Sequence, residues 1–328
     1  MGVLGVDGSY HGDTLGTMDA VPSSVFTELQ TPWTEARGLF LDDVPCVWMK
    51  KDGMHVFQGD TSTKLRARTF RELFVSDEAG IARRKAYQSS IEARIDDYEQ
   101  RTSTMIGACI IEPVVQGAGG MRLIDPEFHR AMDAVCKARR HPVPVIADEV
   151  FSGLWRLGVE SAAVDLLGIR PSIGCFAKLL TAGIVPLSLT LASEEIFHVF
   201  KGDSKALALL HGHSYTAHPV GCAAAKFALE HLRASPVAAT ELWDADRVGA
   251  VRRHPRVDGC WSLGTVFSAK LVSDGGGYES TAAERVTNAL VQRGISARPL
   301  GDVVYLMVTP FSAAETCDWA LDELLAAL

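Results

Sequence analysis

Three short apolar runs, each closed by a residue able to do chemistry, constrain this chain more than any other feature. Ile106–Ile111 ends at Glu112-Pro113, Val143–Ala147 ends at Asp148-Glu149, and Ile173–Ala177 ends at Lys178. Between the first two lies Asp125-Pro126, an N-cap followed by proline at the first helical position, and then a helical pattern to about Arg140. Short buried strands alternating with a helix argue for an α/β fold on a mostly parallel sheet. Such sheets gather their ligands outside the carboxyl ends of the strands, where Asp148 and Lys178 fall.

The rest of the chain is read around that unit. Residues 3–7 predict a short strand, and 13–60, with scattered Pro and Gly, predict a loop-rich stretch. Asp77 to Arg101 reads as a charged helix with Ile81, Tyr87, Ile91 and Ile95 on one face. Val185–Leu191 is a further strand, and Pro219 to about Arg233 an Ala-rich helix. From about residue 235 the pattern changes to strand Thr265–Leu271, helix Thr281–Arg293, strands Ser296–Arg298 and Val303–Val308, and helix Ala313–Leu328. The expected division is therefore a large α/β domain over 1–234 and a small α+β lobe over 235–328.

Composition removes several classes of function. The formal net charge of −8 argues against general affinity for nucleic acid. The basic runs Lys64, Arg66, Arg68, Arg71 and Arg83, Arg84, Lys85 are interleaved or followed by Glu72, Asp77 and Glu78, so a solvated helical face is expected rather than an anion patch. No apolar stretch reaches the roughly 18 residues that span a bilayer. Seven cysteines, an odd number without a CxxC pair, read as reduced and mostly buried thiols.

Several segments carry chemistry. Lys178 lies in Cys175-Phe-Ala-Lys-Leu-Leu-Thr-Ala-Gly183, among apolar and small residues. Burial there would lower its pKa and favour imine formation, against the alternative of a snorkelling surface lysine. Asp148 reads equally well as a strand-end cap or as a functional carboxylate. Together they suit pyridoxal phosphate, which needs a lysine for its aldehyde and a carboxylate at its pyridine nitrogen. Tyr10, in Ser9-Tyr-His-Gly-Asp-Thr14, is placed to stack on a ring, with His11 and Asp13 bonding around it. His211-Gly-His-Ser-Tyr-Thr-Ala-His218 has histidine spacings unlike familiar zinc sites, so no metal is expected and a phosphate-binding loop is the better reading.

The order and spacing of these segments, with Ile111-Glu-Pro-Val-Val-Gln-Gly-Ala-Gly-Gly-Met-Arg122 between the first and the second strand, resemble the class III pyridoxal-phosphate-dependent aminotransferases. Trp155-Arg-Leu-Gly158 and Arg298-Pro-Leu-Gly-Asp-Val-Val-Tyr-Leu-Met307 narrow the resemblance to the diaminopelargonic acid aminotransferases. Gly38-Leu-Phe-Leu-Asp42 is similar to the eukaryotic type, in which this domain follows a dethiobiotin synthetase domain. The resemblance runs from Val3 to Leu328.

It implies the aspartate-aminotransferase-like fold and pyridoxal 5′-phosphate as cofactor. Lys178 would be the Schiff-base lysine and catalytic base, Asp148 the partner of the pyridine nitrogen, and Tyr10 the stacking ring. Ser214 and Gly212 would serve the cleft shared with a second subunit of a homodimer, Ser214 at the cofactor phosphate. Arg298 would hold the substrate carboxylate with Tyr305 beside it, and Glu112 and Arg156 would support the site. The implied reaction moves an amino group from S-adenosylmethionine to 8-amino-7-oxononanoate, in cytoplasm or mitochondria. Other class III transaminases, of the ω-amino acid or ornithine type, and a non-catalytic dimerising subunit are the alternatives. Ala182, Ser152, Leu154 and Val308-Thr309 depart mildly from the family pattern. The resemblance also implies a long segment ahead of Tyr-His-Gly-Asp-Thr, so the chain is read as truncated at its N-terminus.

Overall fold

The computed structural model describes residues 1–24, 27–30, 32–234, 242–273 and 280–328. Its centre is a six-stranded sheet in the order Leu189–Ala192, Ile173–Phe176, Val145–Asp148, Ile106–Ile111, Gly2–Val6, Gly38–Leu41. All neighbours pair in parallel except Leu189–Ala192, which runs antiparallel on one edge. Cys109, Ile111, Val145 and Ala147 are buried because helices cover the sheet, as parallel strands require. The parallel strands expected over 3–7, 106–111, 143–147 and 173–177 thus form, within two residues of their expected bounds.

The helix Glu78–Thr102 starts at Asp77, whose carboxylate accepts from the Gly80 amide at 2.7 Å. It turns Tyr87, Ile91 and Ile95 inward, while Ile81 is left exposed at its first turn. Helix Pro126–Ala138 packs beside it, capped by Asp125, which accepts from the Glu127 amide. Arg83 and Arg84 do not form a solvated face as expected. Arg83 donates to the fully buried Asp125 at 2.9 Å, and Arg84 to the buried Glu127 at 2.6 Å. Two carboxylates enclosed at one helix start draw the cations in, since an unpaired buried charge costs several kcal/mol.

A second, antiparallel sheet has the order Pro299–Leu300, Val303–Met307, Val266–Leu271, Val257–Leu263, Cys46–Lys50, Gly53–Gln58, Thr61–Lys64. Strands Cys46–Lys50 and Gly53–Gln58, with Gly38–Leu41 of the first sheet, correct the loop-rich reading of 13–60. The turns Lys51-Asp52 and Gly59-Asp60 join a meander whose Val47, Met49, Met54 and Val56 are buried. Scattered Pro and Gly hid strands that are only four to six residues long. The sheet therefore unites residues on both sides of the expected 234/235 division, which itself abuts 235–241, outside the described residues. The strand Val257–Leu263 went unforeseen, and the strand expected over 296–298 falls instead at Pro299–Leu300, paired with Val303 and Val304 around Gly301 at φ 64°. Among the described residues no helix is long and apolar enough to cross a membrane.

Candidate active site

Four loops meet beyond the carboxyl ends of the parallel strands. Gly2–Val6 runs out into Tyr10 and His11, Ile106–Ile111 into Glu112, Val145–Asp148 into Glu149 and Phe151, and Ile173–Phe176 into Lys178. Sequence separations of more than a hundred residues close here. The His11 ring nitrogen Nδ1 lies 2.8 Å from Asp148 Oδ2. The Tyr10 amide donates to Glu112 Oε1 at 2.9 Å, and the Gly117 amide to Glu112 Oε2 at 3.0 Å.

Asp148 is held from two sides, by His11 and by the Val150 amide, which donates to Oδ1 at 3.1 Å. The His11 side chain is 1% exposed, and its other nitrogen, Nε2, is buried without a partner among the described residues. Glu112 is almost wholly buried, and burial pushes its carboxyl up to about 7 although His11 opposes the shift. The loop over it depends on close approach. A Cβ at Gly119 would stand 1.9 Å from the Gly8 carbonyl oxygen, and one at Gly117 would stand 3.0 Å from the Phe151 ring. Gln116 ties the same loop down, donating to the Asp7 carbonyl and to Ser9 Oγ at 3.0 Å each.

Lys178 opens a 3₁₀ turn, Lys178–Thr181, with its own backbone at φ 51°. That left-handed conformation costs a non-glycine residue about 1–2 kcal/mol. Burial of the lysine, expected from its apolar neighbours, is not met, because the turn at the strand end lifts the side chain to the open mouth of the cleft. The surrounding protein nonetheless shields the ammonium. Its pKa is lowered by desolvation and by Arg156, and Asp148 and Glu112 only partly offset this. The Nζ atom stands 5.6 Å from the centroid of the Phe151 ring, and the Arg156 guanidinium stands 5.9 Å from the same ring. Arg156 Nε is buried with no partner among the described residues, and desolvation brings the group down to about 10, still a cation at neutral pH. A largely enclosed guanidinium near a second cation, with no carboxylate paired to it among the described residues, is ready to receive an anion.

The remaining residues lie further out. Tyr10 is 45% exposed and its hydroxyl donates to Asp13 at 2.9 Å. Ser214 and Gly212 lie on an exposed loop with nothing within 4 Å of the Gly212 Cβ position, so within one chain they do not join the site. In that loop His213 Nδ1 accepts the Tyr215 amide, and His218 Nδ1 caps helix Pro219–Arg233 through the Gly221 amide. Arg298 is exposed, and Tyr305 is half-buried in the second sheet beside Ser268. Sequence reasoning passed over Phe151, under both cations, and gave His11 only a general place around the ring.

The residues fit pyridoxal phosphate as a group. Asp148 is an oriented carboxylate, Tyr10 an open aromatic face, Lys178 an amine with lowered proton affinity, and the orphaned His11 Nε2 and Arg156 Nε show a polar site with unused capacity.

Residues 47–328 match the family described as aminotransferase class-III. The chain is 44% identical, over 96% of its length, to a bifunctional dethiobiotin synthetase/7,8-diamino-pelargonic acid aminotransferase, mitochondrial, of Oryza sativa subsp. japonica, and it spans 40% of that protein. It is 35% identical, over 93% of its length, to an adenosylmethionine-8-amino-7-oxononanoate aminotransferase of Synechococcus elongatus, of which it spans 64%. In fold it is similar to an amine transaminase from an uncultivated Pseudomonas species, solved in its PLP-bound form, with TM-score 0.75 and 24% identity over 99% of this chain and 68% of that one. The matched residues take in Glu112, Asp148, Arg156, Lys178, Ser214 and Arg298, and the chain belongs to the class III aminotransferases.

Proposed function

We propose that this chain is the aminotransferase of biotin biosynthesis that moves an amino group from S-adenosylmethionine to 8-amino-7-oxononanoate, giving 7,8-diaminononanoate. The observation that carries the reading is the convergence of His11, Asp148, Glu112, Arg156 and Lys178 at one strand-end cleft. The names of the relatives from Oryza and Synechococcus supply the substrate pair.

Pyridoxal phosphate, when bound, supplies an aldehyde for the amine and a ring that accepts electrons. The chain does the rest. Lys178 would hold the aldehyde end and, as a free amine, would move a proton on Nζ, a task its lowered pKa favours. Asp148, kept in place by His11 and the Val150 amide, would hold the pyridine nitrogen. Glu112 anchors the Tyr10 loop through the Tyr10 amide, so the stacking ring and the carboxylate are fixed together. Arg298, exposed at the start of Pro299–Leu300, holds the substrate carboxylate in a planar fork beside Tyr305.

A homodimer is part of the same proposal. Leu191, Phe197, Leu210, Tyr215, Val220 and Phe227 are all exposed between residues 189 and 227, the same stretch that carries Ser214. So much apolar surface in one region is what an interface needs, and a second copy would bring its Ser214 to the cofactor phosphate. Cytosol or mitochondrion is the proposed compartment, the latter supported by the rice relative's name.

The test is product formation. Purified chain, loaded with pyridoxal phosphate and given both substrates, is expected to release 7,8-diaminononanoate, measured by mass spectrometry. Amino transfer from ω-amino acids or ornithine, with none from S-adenosylmethionine, would replace the proposal with a different class III activity. Borohydride reduction should fix the cofactor on the peptide containing Lys178. A label on Lys201 or Lys205 would remove Lys178 from its role.

A further inference from the structure

Behind the turn that carries Arg156 lies a cavity of about 500 Å3. It opens between the short helix Phe70–Leu73, the helix Ala245–Arg253 and the loop Leu157–Val159. Its volume is in the range of small-molecule sites. Apolar walls come from Phe70, Phe74, Leu157, Trp243 and Val248. Trp243 is held in place by its indole N–H, which donates to the Gly264 carbonyl at 3.1 Å, and by packing on Phe267. These contacts make the wall a formed surface rather than a loose one.

Arg68 and Arg252 line the cavity, and the acidic side chain among its described lining residues, Asp165, already accepts the Ser161 amide on Oδ2 at 2.9 Å. Arg252 Nε is buried with no hydrogen-bond partner among the described residues, and the Arg68 side chain is exposed at the cavity's rim. The thiol near Arg252, Cys260, supplies no counter-charge, because burial pushes it up to about 12. A guanidinium left without an acceptor beside an apolar wall has a definite complement, a planar anion on a short hydrocarbon chain.

We infer that this cavity is a second binding site, separate from the Lys178 cleft, for an amphipathic carboxylate whose head is held by Arg68 and Arg252 and whose alkyl chain lies against Phe70, Phe74, Leu157 and Trp243. It would touch Leu157 and Gly158, the residues directly after Arg156, so its occupant adjoins the support of the catalytic cleft.

Octanoate is the probe, and isothermal titration calorimetry on the purified chain is the measurement. Saturable binding is expected, weakened about tenfold or more by R252Q and by R68Q, since each removes charge-assisted hydrogen bonds. Octanol, which has the chain without the charge, should bind at least tenfold more weakly. Val248→Trp, which fills the cavity, should abolish binding. R298A tests whether the probe has entered the catalytic cleft instead and should leave the affinity unchanged. Absence of binding, equal affinity for octanol, or loss of binding in R298A alone would overturn the inference. Should R252Q not fold, R68Q and V248W, each checked by its melting temperature, decide the question.

Discussion

The carboxyl edge of the parallel sheet and the joint between helices Glu78–Thr102 and Pro126–Ala138 are both rich in enclosed charge, and they treat it in opposite ways. At the joint each buried carboxylate is answered. Asp125 accepts from Arg83 and from the Tyr87 hydroxyl. Glu127 accepts from Ser76, Arg84 and Arg130, and Arg130 goes on to the Phe74 and Leu167 carbonyls. At the sheet edge the groups are oriented but left with spare capacity. Among the described residues His11 Nε2 and Arg156 Nε are buried without partners, and Lys178 stands near Arg156 over one ring. Buried charge that is matched within the chain holds a fold, while buried polar atoms that are positioned and unmatched await a ligand.

The largest expected effect sharpens that contrast. Lys178→Ala should lower turnover by about a thousandfold or more, given what a positioned acid–base group contributes. The urea midpoint should hardly move, since the side chain is open to solvent and its φ of 51° is strained in the native chain. Glu127→Ala should do the reverse. Leaving Arg84 and Arg130 without their shared carboxylate is expected to cost on the order of 3–5 kcal/mol, read from denaturant unfolding. Turnover per folded molecule should be kept. A variant at Glu127 that folds normally but loses activity would break the division between the two regions.

A smaller effect depends on pH. Glu112 keeps its proton in the folded chain up to about pH 7, whereas an ordinary glutamate loses it near 4.5. Between those values the folded state binds more protons than the unfolded state, so this group's contribution to stability falls as pH rises through the window. The loss is on the order of 3 kcal/mol. Buried His129 acts with the opposite sign. Burial lowers its pKa to about 3, so the unfolded state takes up the extra proton between about 6.5 and 3 and stability falls as pH drops. Glu112→Gln should therefore flatten the decline between pH 5 and 7.5 and leave the acid limb to His129. Unfolding curves at four or five pH values check this, and an unchanged profile in the variant would remove Glu112 from the account.

The smallest effect lies beside the lysine. Ala182 closes the Lys178–Thr181 turn at φ 52°, a conformation that favours glycine. Ala182→Gly should relieve strain and, after the entropy that glycine adds to the unfolded chain, stabilise by roughly 0.5–1 kcal/mol, seen as a small rise in melting temperature.

The strand ends were legible because chemistry and hydrophobic pattern coincide there. Asp148, Glu112 and Lys178 each follow a run of apolar residues, and the structure places all three around one cleft. The meander Cys46–Lys64 was not legible. Its strands are short and edge-like, with Thr61–Lys64 exposed, and the strand that ties the meander into its sheet, Val257–Leu263, lies about two hundred residues away in sequence. Arg83 and Arg84 misled for a related reason. A charge run looks the same in sequence whether it faces water or a buried Asp125 and Glu127.

The sequence by itself determined the parallel-sheet architecture and the family, and it singled out Lys178 as the candidate reactive lysine, because periodicity, caps and motif order are local properties of a chain. Only the tertiary structure decided that His11 grips Asp148, that Phe151 lies under both Lys178 and Arg156, and that Glu112 is enclosed enough to hold its proton toward neutral pH. Those are facts of distance and desolvation between residues far apart in the chain, and both quantities come into being only when the strands pair and water is excluded.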